Sequence, residues 1–446
     1  PELSIPTYKA ATEYYNVDIE KALDEVDLYC DAVAKVHTHI KTIVVPTWIM
    51  PPKQRGYGLM DLVPGVGVKY LLMRMNQRLA ENLSSLGGVY VLDTERWMAR
   101  SGFNGVDLKL WFVGKIYFRP EVFKAAVKDI KAALRAIRGP SKKIILVDLD
   151  ETLWGGIVGD DGWENLRLGG HDAIGESYVE FQLGLKSLMN RGILLGIISK
   201  NEEQIALEAI NKHPEMVLRQ NDFVGWRINW EDKAKNIQLL LAELRLGLDS
   251  AVFIDDSVYE REQVKATLPG VFVPSWPLDK TRYVEALQQL TSFDTPIATT
   301  EDKIRLETYQ NEKERQSLYQ GLGSMDEWLE NLDLIVTVER LKPQNMPRAI
   351  QLLNKTNQVN LRARRLTQVE YECWIEVATR SAWTITVCDR FGNLGLVGLL
   401  SVETEGVTAD VVDFVLSCRA MGRKVEEVMI YCLTEHARSM HLKQLT

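Results

Sequence analysis

The chain has 446 residues, 46% of them hydrophobic and 26% charged, a composition that predicts more than one folded domain with an apolar core. The net charge is −8, from 53 basic and 61 acidic residues, and the basic residues form no tail, so a nucleic acid is not an expected partner. No apolar run reaches the length of a membrane span and no secretory signal is visible, so we expect a cytoplasmic protein without a membrane partner.

The first region, residues 1–140, carries alternating strand and helix signals. Stretches 42–48 and 88–93 predict strands. Stretches 68–83 and 121–137 repeat apolar residues at helical spacing and predict amphipathic helices. Together these elements predict an incomplete α/β layer, which we interpret as a structural platform.

A strand that ends in carboxylates begins the second region, residues 141–292. The apolar run 144–147 predicts a buried parallel strand; Asp148 and Asp150 follow it, with the hydroxyl of Thr152 just beyond. Open α/β sheets bind their ligands at the carboxyl ends of the strands. Because residues two apart on a strand face the same side, both carboxylates can converge on one bound phosphate.

Three later pieces of the sequence supply the other groups that phosphoryl chemistry needs. A second apolar strand ends at Ser199 and Asn201, whose side chains can hold phosphate oxygens. Lys233, near the start of a helical stretch, offers an ammonium group that suits a phosphoryl group and would orient the attacking carboxylate. A third strand ends at Asp255 and Asp256.

These aspartates predict a metal site. Asp148, Asp255 and Asp256, with a carbonyl oxygen from Asp150, give the all-oxygen ligand set that Mg²⁺ prefers. The metal would neutralise the phosphate charge that repels an aspartate nucleophile. We expect Asp148 to attack phosphorus and Asp150 to act as general acid and then as base. Each piece alone is explained by a turn, a helix cap or a surface charge, but their combined order favours phosphoryl chemistry.

The stretch between the first two motifs leaves little room for a cap domain. Residues 155–168 predict a hairpin flap and residues 176–190 a single helix, so the site would stay open to a large partner. Trp154, Trp163 and Trp226 either wall this pocket or pack in the core.

The four motifs resemble those of the haloacid dehalogenase (HAD) superfamily of Mg²⁺-dependent phosphatases and phosphotransferases. Within it, the chain is similar to the FkbH-like proteins, which load a glyceryl unit onto acyl carrier proteins; the similar stretches are 149–162, 301–310, 354–361, 389–398 and 416–423. The resemblance implies 1,3-bisphosphoglycerate as donor and the phosphopantetheine arm of an acyl carrier protein as acceptor, in polyketide-type biosynthesis. For residues 1–140 it implies a remnant of an SGNH hydrolase, because the serine block and the late Asp-His pair of those enzymes are absent.

Two further regions follow. Residues 293–333 predict a linker with helices at 303–319 and from residue 324 onward. Strands are predicted at 334–341, 382–390, 394–403 and 409–417, and a long helix from residue 418. Because the chain stops at Thr446, we expect the strand that would follow this helix to be missing; because it starts at Pro1 without Met, we expect its natural amino terminus to lie upstream.

The junction of the last predicted strand and helix resembles the acyl-CoA-binding turn of the GNAT acetyltransferases. Arg419 and Gly422 match that turn, in which backbone N–H groups at a helix amino terminus hold a pyrophosphate. Lys424 stands where the motif has a small residue, so ordinary use of acetyl-CoA is not expected.

The five cysteines are scattered and lack paired spacing, which argues against a disulfide framework and a zinc site. Cys418 is the candidate to carry a glyceryl thioester, because the helix dipole and Arg419 would favour a thiolate. A buried core cysteine explains the position at least as well. Cys388 is the second candidate thiol.

Two basic groups are candidates for docking the anionic carrier protein and its phosphopantetheine arm. The first comprises Arg362, Arg364 and Arg365, and the second Arg419 and Arg423 with the neighbouring lysine. A solvated basic face explains each group taken singly.

The sequence therefore predicts a multidomain α/β fold. Its parts are an SGNH-like remnant at 1–140, a central Rossmann-like HAD domain at 141–292, linker helices at 293–333 and a GNAT-like α+β domain at 334–446. The predicted activity is that of a HAD-type phosphatase and glyceryltransferase. Two alternatives remain open: a plain HAD phosphatase acting on a small phosphorylated metabolite, and a non-catalytic scaffold that docks carrier proteins.

Overall fold

The computed structural model describes residues 1–50, 54–102, 105–138, 142–295, 309, 311, 325–356 and 359–446. The chain forms two compact units: Pro1–Ile137 with Thr367–Cys373, and Arg138–Leu366 with Trp374–Thr446. Among the described helices, none combines the length and the apolar character that crossing a membrane requires.

The first unit contains a two-stranded parallel sheet covered by helices. Strands β1 (Ile43–Pro46) and β2 (Val89–Leu92) pair in register. The helices before residue 140 are α1 (Pro6–Thr12), α2 (Ile19–His37), α3 (Val68–Ser84), α4 (Thr94–Ser101), α5 (Leu108–Gly114) and α6 (Pro120–Arg138). In α3, residues such as Leu72, Met75 and Leu79 are buried on one face, as an amphipathic helix requires. Both predicted strands and both predicted helices of this region are confirmed.

The second unit contains a four-stranded parallel sheet in the order β5-β4-β3-β6. The strands are β3 (Ile144–Val147), β4 (Leu194–Ser199), β5 (Phe223–Ile228) and β6 (Ala251–Ile254). Every residue of β3, β4 and β6 is buried. Ile145 and Val147 belong to the core on one face of the sheet, and Ile144 and Leu146 to the core on the other. This alternation is why the strand is apolar throughout.

Helices cover both faces of this sheet. They are α7 (Val158–Asp161), α8 (Ala173–Asn190), α9 (Glu203–Lys212), α10 (Lys233–Glu243), α11 (Val258–Thr267) and α12 (Tyr283–Gln288). The predicted helix at 176–190 is confirmed but starts earlier, because the Asp172 carboxylate accepts the Gly175 N–H at 2.9 Å and caps it.

The predicted hairpin flap at 155–168 is wrong in its interior. A single antiparallel bridge joins Gly155 and Arg167, but the segment between them forms α7 and a 3₁₀ turn at Trp163–Asn165. The Asp161 carboxylate accepts the Ile157 N–H at 2.9 Å. A local hydrogen bond of this kind competes with strand pairing.

A second sheet of the same unit has the order β12-β11-β10-β9-β7, with β8 beside β11. Its strands are β7 (Ile335–Arg340), β8 (Val359–Asn360), β9 (Arg380–Asp389), β10 (Gly392–Glu405), β11 (Thr408–Leu416) and β12 (Gln444–Leu445). The helices of this part of the chain are α13 (Met325–Asn331), α14 (Met346–Lys355), α15 (Gln368–Ile375) and α16 (Val425–Ser439). All four predicted strands are confirmed.

Three expectations for the carboxy-terminal region have different outcomes. The helix predicted from residue 324 is confirmed, whereas that at 303–319 lies outside the described residues except for residues 309 and 311. The long helix begins only at Val425, because Gly422 and Lys424 have positive φ angles of 74° and 56° and interrupt α-helical geometry. The expectation of a missing strand is wrong, since β12 pairs in parallel with β11.

Candidate active site

The strand order brings three carboxylates to one edge of the parallel sheet. Strands β3 and β6 are neighbours, with Val147 opposite Ile254. Asp148 and Asp255 follow these two residues, so they emerge side by side. One carboxylate oxygen from each of Asp148, Asp255 and Asp256 lies within 4.8 Å of the others. The predicted carboxylate ligands of the metal therefore lie close together, and metal binding itself stays a prediction.

Lys233 lies between two of these carboxylates. Its Nζ is 3.0 Å from the Asp148 Oδ2 and 2.6 Å from the Asp255 Oδ2, and its side chain is 4% exposed. Burial by itself would lower the pKa of Lys233, but the charges of Asp148 and Asp255 outweigh it and raise the pKa to about 12. The ammonium group is therefore charged at neutral pH. Asp232 positions it at the start of α10 by accepting the Lys235 N–H at 2.9 Å.

The second oxygen of Asp148 differs from the first. Within the described part of the chain, no group hydrogen-bonds this buried Oδ1. A buried carboxylate oxygen without a partner costs free energy, and a cation or an electrophile would satisfy it. The all-oxygen set of the buried Asp148 and Asp255 with the partly exposed Asp256 fits Mg²⁺.

Asp150 belongs to a separate hydrogen-bonded group. Its Oδ1 accepts the Trp154 indole N–H at 2.8 Å and the Val158 N–H at 3.1 Å, and its Oδ2 accepts the Asn201 amide at 2.8 Å. Burial raises the pKa of Asp150, while the bonds from Val158 and Trp154 oppose that rise. A carboxyl with a raised pKa can hold a proton and donate it to a leaving group. Its predicted metal contact, through the carbonyl oxygen, stays a prediction.

The predicted phosphate-binding residues divide into two sets. Ser199 and Asn201 lie at the end of β4, 1% and 4% exposed, on the edge where the carboxylates emerge. Thr152 is fully buried, and its hydroxyl oxygen accepts the Asp256 N–H at 3.2 Å. This bond links the loop after β3 to the loop after β6, and the phosphate contact of Thr152 stays a prediction.

Lys280 is a second cation near the site that the sequence motifs did not reveal. Its Nζ donates to the Glu151 carbonyl at 2.7 Å, and lies 3.1 Å from the Glu151 carboxylate and 3.7 Å from the Asp256 carboxylate. Glu151 has a φ of 55°, a strained angle for a residue with a side chain. Tyr178 and Tyr283 also donate to its carbonyl oxygen, at 3.4 and 3.3 Å. These donors stabilise the turn that carries Asp150.

The three tryptophans do not wall a pocket together. Trp154 is fully buried in the core, so its predicted role as a pocket wall is wrong. Trp163 and Trp226 are partly buried against the same core, and the Trp226 indole donates to Glu203 at 2.9 Å. Packing, the alternative interpretation, describes all three.

The first basic group is engaged within the chain. Arg364 donates through Nε to the buried Asp413 at 2.9 Å and stacks 4.7 Å from the Trp374 ring. Arg365 donates to the Leu353 carbonyl at 2.7 Å. These contacts favour a structural role for both arginines over docking. Arg362 is exposed and pairs with Asp410 at 3.3 Å, so it alone of the three keeps a surface position.

The second basic group is also mostly internal. Arg423 is 1% exposed and lies 5.9 Å from the Trp328 ring, so its predicted contact with a docked carrier is wrong in this structure. Arg419 is half-buried in the 3₁₀ turn at Cys418–Ala420. The side chain of Cys418 lies outside the described residues, and the thioester role stays a prediction. Cys388 is half-buried in β9.

Comparison with solved structures finds an extensive match to a bacterial protein. The chain is similar to the N-terminal part of the protein BF1531 from Bacteroides fragilis, a crystal structure described as containing a phosphatase domain complexed with Mg. The two are 31% identical, with 65% of this chain and 77% of that chain covered and a TM-score of 0.56. A Trypanosoma brucei acetyltransferase matches 25% of this chain and 81% of its own at 16% identity, with a TM-score of 0.21 that is too low to indicate a shared fold. No protein-family model and no curated protein matches the chain.

Proposed function

Because this chain belongs to the haloacid dehalogenase-like family, we propose that it is a Mg²⁺-dependent phosphatase in which Asp148 is the nucleophile. One observation carries the proposal. The Oδ2 of the buried Asp148 is held by Lys233 at 3.0 Å, while its Oδ1 has no partner among the described residues. A carboxylate oriented by a cation, with one oxygen open, is suited to attack phosphorus.

The reaction follows from the positions of the two aspartates. Asp148 attacks the phosphorus of a phosphate ester, and the bond to the leaving oxygen breaks while Asp150 donates a proton to that oxygen. Asp150, now a carboxylate, takes a proton from water as the water oxygen attacks phosphorus. The bond from phosphorus to Asp148 then breaks, which releases inorganic phosphate and restores both side chains.

Mg²⁺ would be held by Asp148, Asp255 and Asp256, and when bound it would neutralise charge on the phosphoryl oxygens. Lys233 would add a second positive charge beside the same oxygens. Ser199 and Asn201, at the end of β4, would donate hydrogen bonds to them. The Mg²⁺ complex of the Bacteroides protein supports this choice of metal.

The finer proposal is that this site serves the transfer of a glyceryl group to the phosphopantetheine arm of an acyl carrier protein. The donor is 1,3-bisphosphoglycerate: a thiol displaces its acyl phosphate to form a thioester, and its phosphate ester is hydrolysed, so both phosphates leave as inorganic phosphate. The proposal rests on the stretches that resemble FkbH-like proteins, of which 149–162 surrounds Asp150. Cys418 would be the thiol that carries the glyceryl group. A plain phosphatase acting on a small metabolite is the second candidate. The open oxygen of Asp148 favours it, because attack on phosphorus followed by hydrolysis requires no acyl acceptor.

Phosphate release and carrier mass together separate these possibilities. The protein is incubated with Mg²⁺, 1,3-bisphosphoglycerate and acyl carrier protein, and the carrier is weighed intact. Asp148→Asn should abolish phosphate release, while Asp24→Asn, an exposed aspartate of the first unit, should leave it unchanged. A glyceryl adduct on the carrier supports the finer proposal. Phosphate release without an adduct supports a plain phosphatase, and carrier binding without phosphate release supports the scaffold and refutes the phosphatase.

A further inference from the structure

The buried indole of Trp154 makes a contact that packing does not require. Trp154 is fully buried in the core beside β3, yet its N–H points to the Asp150 Oδ1 at 2.8 Å. The backbone between them is a tight turn, in which the N–H groups of Thr152 and Leu153 donate to the Leu149 carbonyl at 3.0 and 2.7 Å. This turn sets the indole against the carboxylate.

The two oxygens of Asp150 have unequal surroundings. Oδ1 accepts two hydrogen bonds, from Trp154 and from the Val158 N–H at 3.1 Å. Oδ2 accepts one, from Asn201 at 2.8 Å. Because a carboxylate oxygen has about two lone-pair sites, Oδ1 is saturated and Oδ2 keeps one site for a proton.

We propose that Trp154 is a positioning residue that fixes the rotation of the Asp150 carboxyl, so that Oδ2 is the oxygen that gives the proton to the leaving group. This inference rests on the proposed phosphatase activity. Val158, the first residue of α7, is the second donor to the Asp150 Oδ1. The start of α7 therefore also helps to hold the carboxyl in place. Asn201 marks the side on which the proton is transferred, since it lies with Ser199 at the end of β4.

The chemistry makes this role measurable. When the bond to phosphorus breaks, the leaving oxygen takes the proton from the Asp150 Oδ2. A basic alkoxide needs that proton, whereas a nitrophenolate, which is a stable anion, leaves without it. A misplaced acid therefore slows the reaction of alkyl phosphates more than that of nitrophenyl phosphate. A tryptophan that only filled the core would affect both substrates alike.

The test compares kcat/KM for p-nitrophenyl phosphate and methyl phosphate with Mg²⁺, since this constant reports the steps up to departure of the leaving group. For Trp154→Phe we expect a loss of roughly tenfold or more with methyl phosphate and of less than about threefold with p-nitrophenyl phosphate, part of the 10²–10⁴-fold that a positioned acid contributes. Asp150→Asn should show the same selectivity with a larger loss.

Two further variants distinguish a positioning role of Trp154 from a packing role. Trp276→Phe is the matched control, because Trp276 is 6% exposed in the same core and its ring packs 5.6 Å from Phe181; it should lower both constants equally. If Trp154→Phe folds poorly, benzothienylalanine at position 154 is the alternative, because it keeps the shape of the ring and replaces the indole N–H by sulfur. It should reproduce the selective loss with methyl phosphate.

The outcomes distinguish the inference from the function on which it rests. Suppose that the wild-type protein is active and that Trp154→Phe, or benzothienylalanine at position 154, lowers kcat/KM equally for both substrates. This result overturns the positioning role and leaves the phosphatase proposal standing. A wild-type protein that hydrolyses neither substrate, in Mg²⁺, overturns the phosphatase proposal and the inference with it. A selective loss supports both.

Discussion

Replacing Lys233 by methionine should destabilise the protein strongly, because the lysine is the cation between two buried carboxylates. Its Nζ lies 3.0 Å from Asp148 and 2.6 Å from Asp255, and the three side chains are 4%, 10% and 0% exposed. Removing one partner of a buried ion pair costs about 3–5 kcal/mol. At about 2–4 °C per kcal/mol, the magnitude for domains of about 150–250 residues, the melting temperature should fall by roughly 6–20 °C.

The same substitution should make stability depend on pH in a defined direction. Burial and the charge of Asp148 already raise the pKa of Asp255, against the opposing effect of Lys233. Without the ammonium group, that pKa rises further above its unfolded value, so the folded state binds more protons than the unfolded state. Stability of Lys233→Met should therefore fall as pH rises. Melting curves at pH 5 and pH 8 should show a larger deficit at pH 8.

Lys235→Met is the control, because Lys235 lies on the same helix but is 58% exposed and pairs with an exposed Glu231. A pair of this kind contributes about 0–1 kcal/mol, so the melting temperature should change little. The reasoning is refuted if the two variants melt alike, or if the deficit of Lys233→Met is the same at both pH values. Saturating Mg²⁺ should restore part of the lost stability of Lys233→Met, because a bound cation replaces the missing charge.

Three other predictions concern the metal, the core and the second sheet. Removing Mg²⁺ with EDTA should abolish phosphate release and adding it back should restore the activity, as measured by a phosphate assay; activity that persists in EDTA would contradict the metal site. Gly196→Val should destabilise the protein by about 1–3 kcal/mol, because a Cβ there would lie 2.8 Å from a methyl group of Leu146; an unchanged melting temperature would show that this core can relax. Arg364→Met should lower the melting temperature far more than Arg362→Met, since Arg364 pairs with the fully buried side chain of Asp413 and the Arg362 pair is exposed; equal effects would contradict this account of the basic group.

The parts of the site that the sequence predicts share one property: each is attached to a strand or helix end. Asp148 and Asp255 directly follow apolar strands, so the parallel pairing of β3 with β6 brings them together without further information. Lys233 begins a helix, and that position alone places its Nζ near the sheet edge. Lys280 has no such signal. It lies on the turn before α12, and its contacts with Glu151 and Asp256 depend on how that turn packs.

The basic groups show why charge in a sequence does not identify a docking surface. The sequence at Arg364 and Arg423 does not show whether each side chain faces solvent or binds a partner within the protein. In the fold, Arg364 meets Asp413 from β11 and Arg423 is buried near Trp328. Long-range pairing of this kind depends on the register of the second sheet, which the local pattern of strands does not specify.

Trp154 poses the same question within the site. From its spacing alone, the residue either walls a pocket or fills the core, and the burial found here selects the core. Packing in the core is only part of the role of Trp154, because a buried indole N–H also needs a hydrogen-bond acceptor. The acceptor is the Asp150 carboxylate, so the core residue and the proton carrier are joined by one bond. A core position four residues from an acid can thus shape the chemistry without contacting the substrate, and leaving-group selectivity is the property that reveals it.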